Sequence, residues 1–247
     1  MRRTTKLAPL FLGLPLALTM VGSAYAAGTS LTANLDELNR SGANGTAMVT
    51  VDGNSIDVTV QASGLVEGDA APHAQHIHFG EEARHECPTM EEFAGDDDKM
   101  STSEGAPAYG PVAVSLTTEG DTSADSTLAV ERFPAGGTIE YDRDNIEVSA
   151  DLAEAIARGE GVVVIHGVDY DDSGAYDGDE KSDLSEDLPR EATDPALCGV
   201  LRVSASGGVD TGAGGGTSST DLAMVALGGT LLFAAVGTGF VATKARS

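Results

Sequence analysis

Tryptophan is absent from this sequence of 247 residues, aromatic side chains make up 4% of it, and it holds only two cysteines, Cys87 and Cys198. A core with so few large rings must be assembled from Val, Ile, Leu and Ala. Basic residues are also scarce, at 14 Lys and Arg against 39 Asp and Glu. That imbalance excludes nucleic acid and an anionic lipid surface as partners, because both would be repelled. There is no serine-nucleophile elbow, no phosphate loop and no His-Glu-x-x-His run, so hydrolysis has no candidate machinery. Histidine is missing between Cys87 and Ile165; the five that exist are His73, His76, His78, His85 and His166.

The chain opens with Arg2, Arg3 and Lys6, an apolar run from Leu7 to Val21 and the small-residue pattern Ala24-Tyr25-Ala26. This predicts a secretory signal peptide over residues 1–26, cut before Ala27. Leu222 to Ala242 carries no charge and is followed by Lys244 and Arg246. At ~1.5 Å per residue that segment spans a hydrocarbon core of roughly 30 Å. Basic residues beyond it predict a short cytoplasmic tail over 243–247. The expectation is a single-pass protein of the cell membrane. Its N-terminal domain, 27–206, is extracellular and stands on a Gly/Ser/Thr-rich stalk over 207–221. Setting aside the five basic residues of the two ends leaves nine against all 39 acidic ones, a net charge of −30 for the outside part. Acidic groups spread over every loop read as a halophilic surface, one that stays soluble in high salt where close carboxylates are screened.

Residues 29–38 read as a first strand. Ala47, Val49 and Val51 alternate with Met48, Thr50 and Asp52, and after a turn at Asp52-Gly53-Asn54 the residues Ile56, Val58, Val60 and Ala62 alternate with polar ones. Period two with one apolar face predicts a β-hairpin with one wet side. Further strands are expected at the histidine stretch, 112–116, 127–132, 138–142, a short piece at 146–149, 161–166 and 198–205. Residues 81–110 are expected to be loop. Residues 151–158 are expected to make one or two helical turns, capped by Asp151 with Glu154 three residues on. The apolar run from Gly161 to His166 is the expected central strand. Many short strands with turns between them predict an all-β domain, a Greek-key-like β-sandwich or partly closed barrel.

The chemistry is concentrated in His73-Ala-Gln-His-Ile-His-Phe-Gly80. His76-x-His78 on a strand turns both imidazoles to one side, with Cα atoms roughly 6.6 Å apart. Imidazole suits copper and zinc. His166, ending another strand, would supply a third nitrogen and leave a fourth position open. The competing reading is a set of half-buried or core histidines satisfied by hydrogen bonds. His73 and His85 are further candidate ligands, set against a reading as ordinary loop histidines. The two exported cysteines are expected to pair. The rival is a copper thiolate at Cys87, with Met90 or Met100 as a soft companion. The acidic run from Asp169 to Asp187 would hold calcium weakly through carboxylates, but it is read as lacking the spacing of a helix–loop–helix calcium site.

These stretches resemble two families. Gly45 to Asn54, Ser55 to Leu65, His76-Ile77-His78, Asp151 to His166 and Cys198 to Arg202 are similar to segments of the CHRD domain, the module named after chordin. The likeness covers most of residues 29–205 and implies an extracellular domain with a structural or interaction role. His76 to Gly80, His166 and Cys198-Gly199-Val200 resemble copper/zinc superoxide dismutase. That likeness implies copper held by His76, His78 and His166, a disulfide between Cys87 and Cys198, and superoxide as substrate. In that family the bridging histidine and further zinc ligands follow the first cysteine. Here only His85 or His73 is left for the bridge, so zinc is not expected. The family's substrate-guiding arginine precedes its second cysteine, where this chain has Pro195-Ala196-Leu197; neither Arg190 nor Arg202 matches.

Three functions therefore stand. One is a cell-surface CHRD-like domain with a structural or interaction role, its partner a protein or another envelope component, with copper bound or the histidines vestigial. Another is a copper-only dismutase acting on superoxide outside the cell. The third is a copper-binding or storage module without turnover. Convergence of the three histidines would keep copper in play, and a basic residue above them would favour dismutation.

Overall fold

A computed structural model of the chain describes residues 28–68 and 71–204. The expected signal peptide, stalk, spanning segment and cytoplasmic tail lie outside the described residues. Among the described residues no helix is long and apolar enough to cross a membrane.

The first three strands are β1 (Thr29–Glu37), β2 (Asn44–Asp52) and β3 (Ser55–Ser63). Alternation in the sequence sets their register. Val49 lies opposite Leu31 and Val58 with all three buried, while Met48 on the wet face is 53% exposed. The other strands are β4 (Gln75–His78), β5 (Val112–Ser115), β6 (Thr138–Glu147), β7 (Val162–His166), β8 (Pro195–Val200) and β9 (Arg202–Val203). They form one antiparallel sheet in the order β5-β4-β7-β8-β1-β2-β3-β6, with β9 beside β1. The end strands β5 and β6 do not pair. Instead Tyr141 and Arg143 of β6 donate from their side chains to the carbonyl of Thr117, just beyond β5, at 3.2 and 2.6 Å. The domain is therefore an all-β half-barrel whose seam is joined by side chains rather than by a ladder.

One face of the sheet carries the main core, in which Leu31, Val49, Ile77, Val163 and Ile165 meet. On the other face Val162 and Val164 pack with Leu38, Tyr109 and Cys198. β7 is thus buried on both sides, which explains its unbroken apolar run.

The expected loop over 81–110 holds two helices, α1 (Met90–Phe93) and α2 (Thr102–Tyr109). Ser101 and Glu104 cap α2 reciprocally, each side chain taking the other residue's backbone N–H. Helix α3 (Ala150–Ala157) begins one residue earlier than expected because Ser149, not Asp151, caps it by accepting from Leu152 N. A short α4 (Arg190–Thr193) precedes β8.

The pieces expected at 138–142 and 146–149 are one strand, β6, whose pairing with β3 slips between Ile56 and Val58. The strand expected at 127–132 is not there. Single 3-10 turns at Ala124–Ser126 and Val130–Arg132 flank Thr127 to Ala129 instead. The Asp121 carboxylate accepts from the hydroxyls of Ser123 and Ser126, and Arg132 donates to the carbonyls of Glu119 and Asp121. Local side-chain bonds of this kind compete with a ladder.

Candidate metal centre

His76 and His78 leave β4 on the side opposite Ile77, whose own side chain is in the main core. The β4–β7 register sets His76 across from Val164. His166, two residues further along the same face of β7, is its diagonal neighbour, and the His166 N–H donates to the Ala74 carbonyl at 2.8 Å. The ring centroids lie 5.6 Å apart for His76 and His78, 5.3 Å for His76 and His166, and 6.2 Å for His78 and His166. Each residue offers one ring nitrogen, and the three atoms fall within 4.8 Å of one another.

Three loops fix the rings. His76 Nε2 meets the Thr127 carbonyl at 3.2 Å, His78 Nδ1 the Gly110 carbonyl at 2.8 Å, and His166 Nδ1 the Thr193 carbonyl at 2.6 Å. A carbonyl only accepts, so the proton of each ring sits on that nitrogen. The opposite nitrogens, His76 Nδ1, His78 Nε2 and His166 Nε2, are buried and have no partner. An orphaned buried acceptor is costly, and here each of the three clustered rings carries one. Backbone carbonyls that hold the distal nitrogen are the usual outer support of a metal-bound imidazole.

Burial also keeps the rings neutral, the form that binds metal. Desolvation is the largest cause for each. It lowers His76 well below its ordinary value with help from the charges His166 and His78 would carry. It pushes His78 down to about 3, again helped by His166, and His166 down to about 4. Phe133 packs T-shaped with His76 and Tyr109 with His78, at centroid distances of 5.3 and 4.6 Å. Tyr109 is itself held by a 2.7 Å bond from its hydroxyl to the Thr102 carbonyl.

A cavity of about 20 Å³ lies beside the three rings, room for one ion or water. Val112, Leu128 and Leu184 line it, and among the described residues no Lys or Arg does. Sequence reasoning missed both leucines, because Leu128 sat in a supposed strand and Leu184 in an acidic loop.

The two other candidate histidines stand apart from this group. His73 is buried with both nitrogens occupied: Nδ1 lies 3.0 Å from the His166 carbonyl and 2.9 Å from the Tyr176 hydroxyl, and Nε2 lies 3.2 Å from the Val66 carbonyl. A neutral ring has one N–H and donates to only one of these two carbonyls; with that proton on Nδ1 it supports the backbone of His166, and it is not among the clustered donors. His85 stacks on Phe79 and donates from Nε2 to the Gly80 carbonyl at 2.8 Å. Cys87 and Cys198 form a disulfide with Cα atoms 5.7 Å apart, which removes the thiolate reading of Cys87. Neither Met90 nor Met100 lines the cavity.

A second group lies in the acidic loop, where Asp169, Asp171 and Glu191 each bring an oxygen within 4.8 Å of the others. Asp169-x-Asp171-x-Ser173-Gly174, with Glu180 beyond, does carry the residue spacing of a helix–loop–helix calcium loop, contrary to the sequence-based expectation. The flanking elements differ, since β7 rather than a helix precedes it. The loop's own amides occupy these oxygens. Asp169 accepts from Asp171, Ser173 and Gly174, and Glu191 from Tyr170, Asp177 and Gly178.

Comparison with known proteins adds a family. No curated protein matches the chain. Among solved structures, Candida albicans superoxide dismutase 5 (SOD5) with Cu(II) is similar at 16% identity and a TM-score of 0.41, over 76% of this chain and 99% of that one. The family model of the CHRD domain matches residues 29–174. That stretch is more than half of the sequence and contains the whole β4–β7 histidine site, so the chain belongs to the CHRD domain family.

Proposed function

We propose that this protein displays its CHRD domain on the outside of the cell, anchored by the segment over 222–242, and binds one copper ion there through His76, His78 and His166. Its role is structural or interactive, with a protein or another envelope component as partner. The observation that carries the copper reading is the clustering of three buried imidazoles, each with one unpartnered nitrogen and its proton fixed on the other. Three neutral imidazoles suit copper, which also stands above zinc in the general order of affinities. A bound copper would supply a Lewis-acidic centre capable of one-electron exchange. The chain itself holds the donors, fixes their tautomers and keeps water away.

The alternative, a copper-only dismutase acting on superoxide, needs an anion to reach the metal. An apolar rim without Lys or Arg gives that anion no attraction, and the acidic surface repels it except where salt screens it. Binding without turnover is the better fit.

The test is copper stoichiometry on the full chain purified in detergent and high salt, beside the His76→Ala/His78→Ala double variant. One tightly held copper, lost in the variant, is the expected result. No copper above the nonspecific level in either protein would sink the reading. A copper-dependent loss of superoxide well above that of free copper would replace it with the dismutase.

A further inference from the structure

Building on the copper reading above, we infer that Leu128 and Leu184 make the three-histidine site selective for monovalent copper, Cu(I), over Cu(II) and zinc. The donors are three neutral rings, each 2% exposed, and the atoms that fix them are backbone carbonyls rather than carboxylates. Among the described residues no carboxylate therefore bonds to a ring nitrogen of the three donors. Acidic groups stand beyond hydrogen-bond contact: Asp183 is felt at His166, and Asp183 and Asp194 at Tyr109, whose ring lies 4.6 Å from His78. The cost of burying an ion in a poorly polar medium grows steeply with its charge. A site built only of neutral donors holds a single charge far more easily than a double one.

Coordination number points the same way. Cu(I) is content with three nitrogens, whereas zinc takes four ligands and Cu(II) favours four in a tetragonal arrangement. The fourth would have to be water. A buried water needs two to four polar partners, and the cavity of about 20 Å³ is lined around the rings by Ala74, Val112, Leu128 and Leu184 and by Thr102, Thr127 and Thr193. Two of those threonine carbonyls are already bonded to His76 and His166, and the Thr102 hydroxyl donates to the Thr193 carbonyl at 2.6 Å.

The two leucines are 41% and 39% exposed, so each has one side in solvent and one over the cavity. Both are tied to the framework that holds the ligands. Leu128 follows Thr127, whose carbonyl fixes His76. The Leu184 N–H donates to Ser182 Oγ at 3.0 Å, and Ser182 Oγ accepts from Thr193, whose carbonyl fixes His166. Cover and ligands are thus placed by the same loops.

The test uses the full chain in detergent, titrated anaerobically with Cu(I) against a chromogenic Cu(I) chelator, and separately with Cu(II) and Zn(II) salts. The reduction potential of the copper-loaded protein is then compared with that of Leu128→Thr/Leu184→Thr. One Cu(I) per chain, held at least 100-fold more tightly than Cu(II) or zinc, is expected. The double variant should lose tenfold or more of the Cu(I)-over-Cu(II) preference, a fall of about 59 mV for a one-electron couple. Each leucine is already partly in water, so the variant should keep the fold, checked by its metal-free melting temperature. Copper bound equally well or better as Cu(II), or a potential unmoved in the folded variant, would overturn the inference and leave the copper site standing. Absence of binding in either oxidation state would overturn both.

Discussion

His76 and His166 are diagonal neighbours across the β4–β7 pairing with ring centroids 5.3 Å apart, and neither has a carboxylate as hydrogen-bond partner. Two rings held so close in a buried place repel each other's protons, and each is left with a nitrogen that has no partner among the described residues. A packing role alone would be filled better by leucine or phenylalanine. Two energetic consequences follow, one for metal binding and one for pH.

His166→Leu removes one orphaned nitrogen and takes one of two donors from the Thr193 carbonyl, which keeps the Thr102 hydroxyl. The lost hydrogen bond costs ~0.5–1.5 kcal/mol, partly offset by the removal of a desolvated ring, so the metal-free variant should unfold within ~2 kcal/mol of the parent. Copper at a thousandfold excess over Kd should stabilise the parent by ~4 kcal/mol, a rise of roughly 10 °C in melting temperature. The variant should show no such rise. Melting curves with and without Cu(I) read both effects, and a full copper shift in the variant would remove His166 from the ligand set.

The metal-free protein should lose stability as pH falls below about 6.5. In the unfolded chain the rings take protons near their ordinary value of 6.5, whereas the folded protein refuses them down to about 4 at His166 and about 3 at His78. Their stabilising contribution is present above 6.5 and drains away toward those folded values. Between pH 6.5 and pH 5 each ring accounts for ~2 kcal/mol, at ~1.4 kcal/mol per pKa unit. His166→Leu should lose less than the parent over that interval by about this amount. Denaturant midpoints at pH 7.5 and 5.0 give the comparison, in which the acidic surface cancels. Parallel losses in the two proteins would contradict the placement of His166 in a desolvated site.

Opening the Cys87–Cys198 disulfide should destabilise the fold while sparing the metal. The bond closes a sequence separation of 111 residues, and the chain-entropy account assigns such a loop ~4–5 kcal/mol. It ties the segment after β4 to β8, but no cysteine is among the clustered donors. Cys87→Ser/Cys198→Ser should therefore have a lower denaturant midpoint by an amount in the ~2–5 kcal/mol range and still take up one copper per chain. Loss of copper from a variant that remains folded would revive the thiolate.

Legibility of the fold tracked the number of constraints on each stretch. The β2–β3 hairpin could be read because one wet face forces strict alternation at Ala47, Val49 and Val51. β7 could be read because burial on both faces leaves only apolar letters. The pairing of His76 with His78 followed from the strand period. What could not be read is what backbone atoms do. The carbonyls of Gly110, Thr127 and Thr193 orient the three rings, and a carbonyl has no letter of its own. The run at 127–132 misled because its apolar residues suggested a strand, while the bonds from Asp121 and Arg132 that fold it into turns come from residues outside the run or at its edge. The Asp169-x-Asp171-x-Ser173-Gly174 spacing was visible in the letters and was obscured by the general excess of acid around it.

Gly167 tests the claim that His73 is a support rather than a ligand. The residue adopts φ +114°, and a Cβ there would run into the Tyr176 hydroxyl and lie 2.6 Å from His73 Nδ1. Those are the two groups gathered at the His166 carbonyl and at the root of the acidic loop. Gly174→Ala is the control, since its φ of +83° is equally left-handed but a Cβ would meet nothing within 4 Å. The control should cost ~1–2 kcal/mol of backbone strain alone. Gly167→Ala must in addition displace a buried ring from its bonds, and should cost ~3 kcal/mol or more. It should also weaken copper binding at least tenfold by shifting His166, and raise hydrogen exchange over residues 167–178. If Gly167→Ala proves no worse than Gly174→Ala in both stability and copper affinity, His73 does not hold His166 in place.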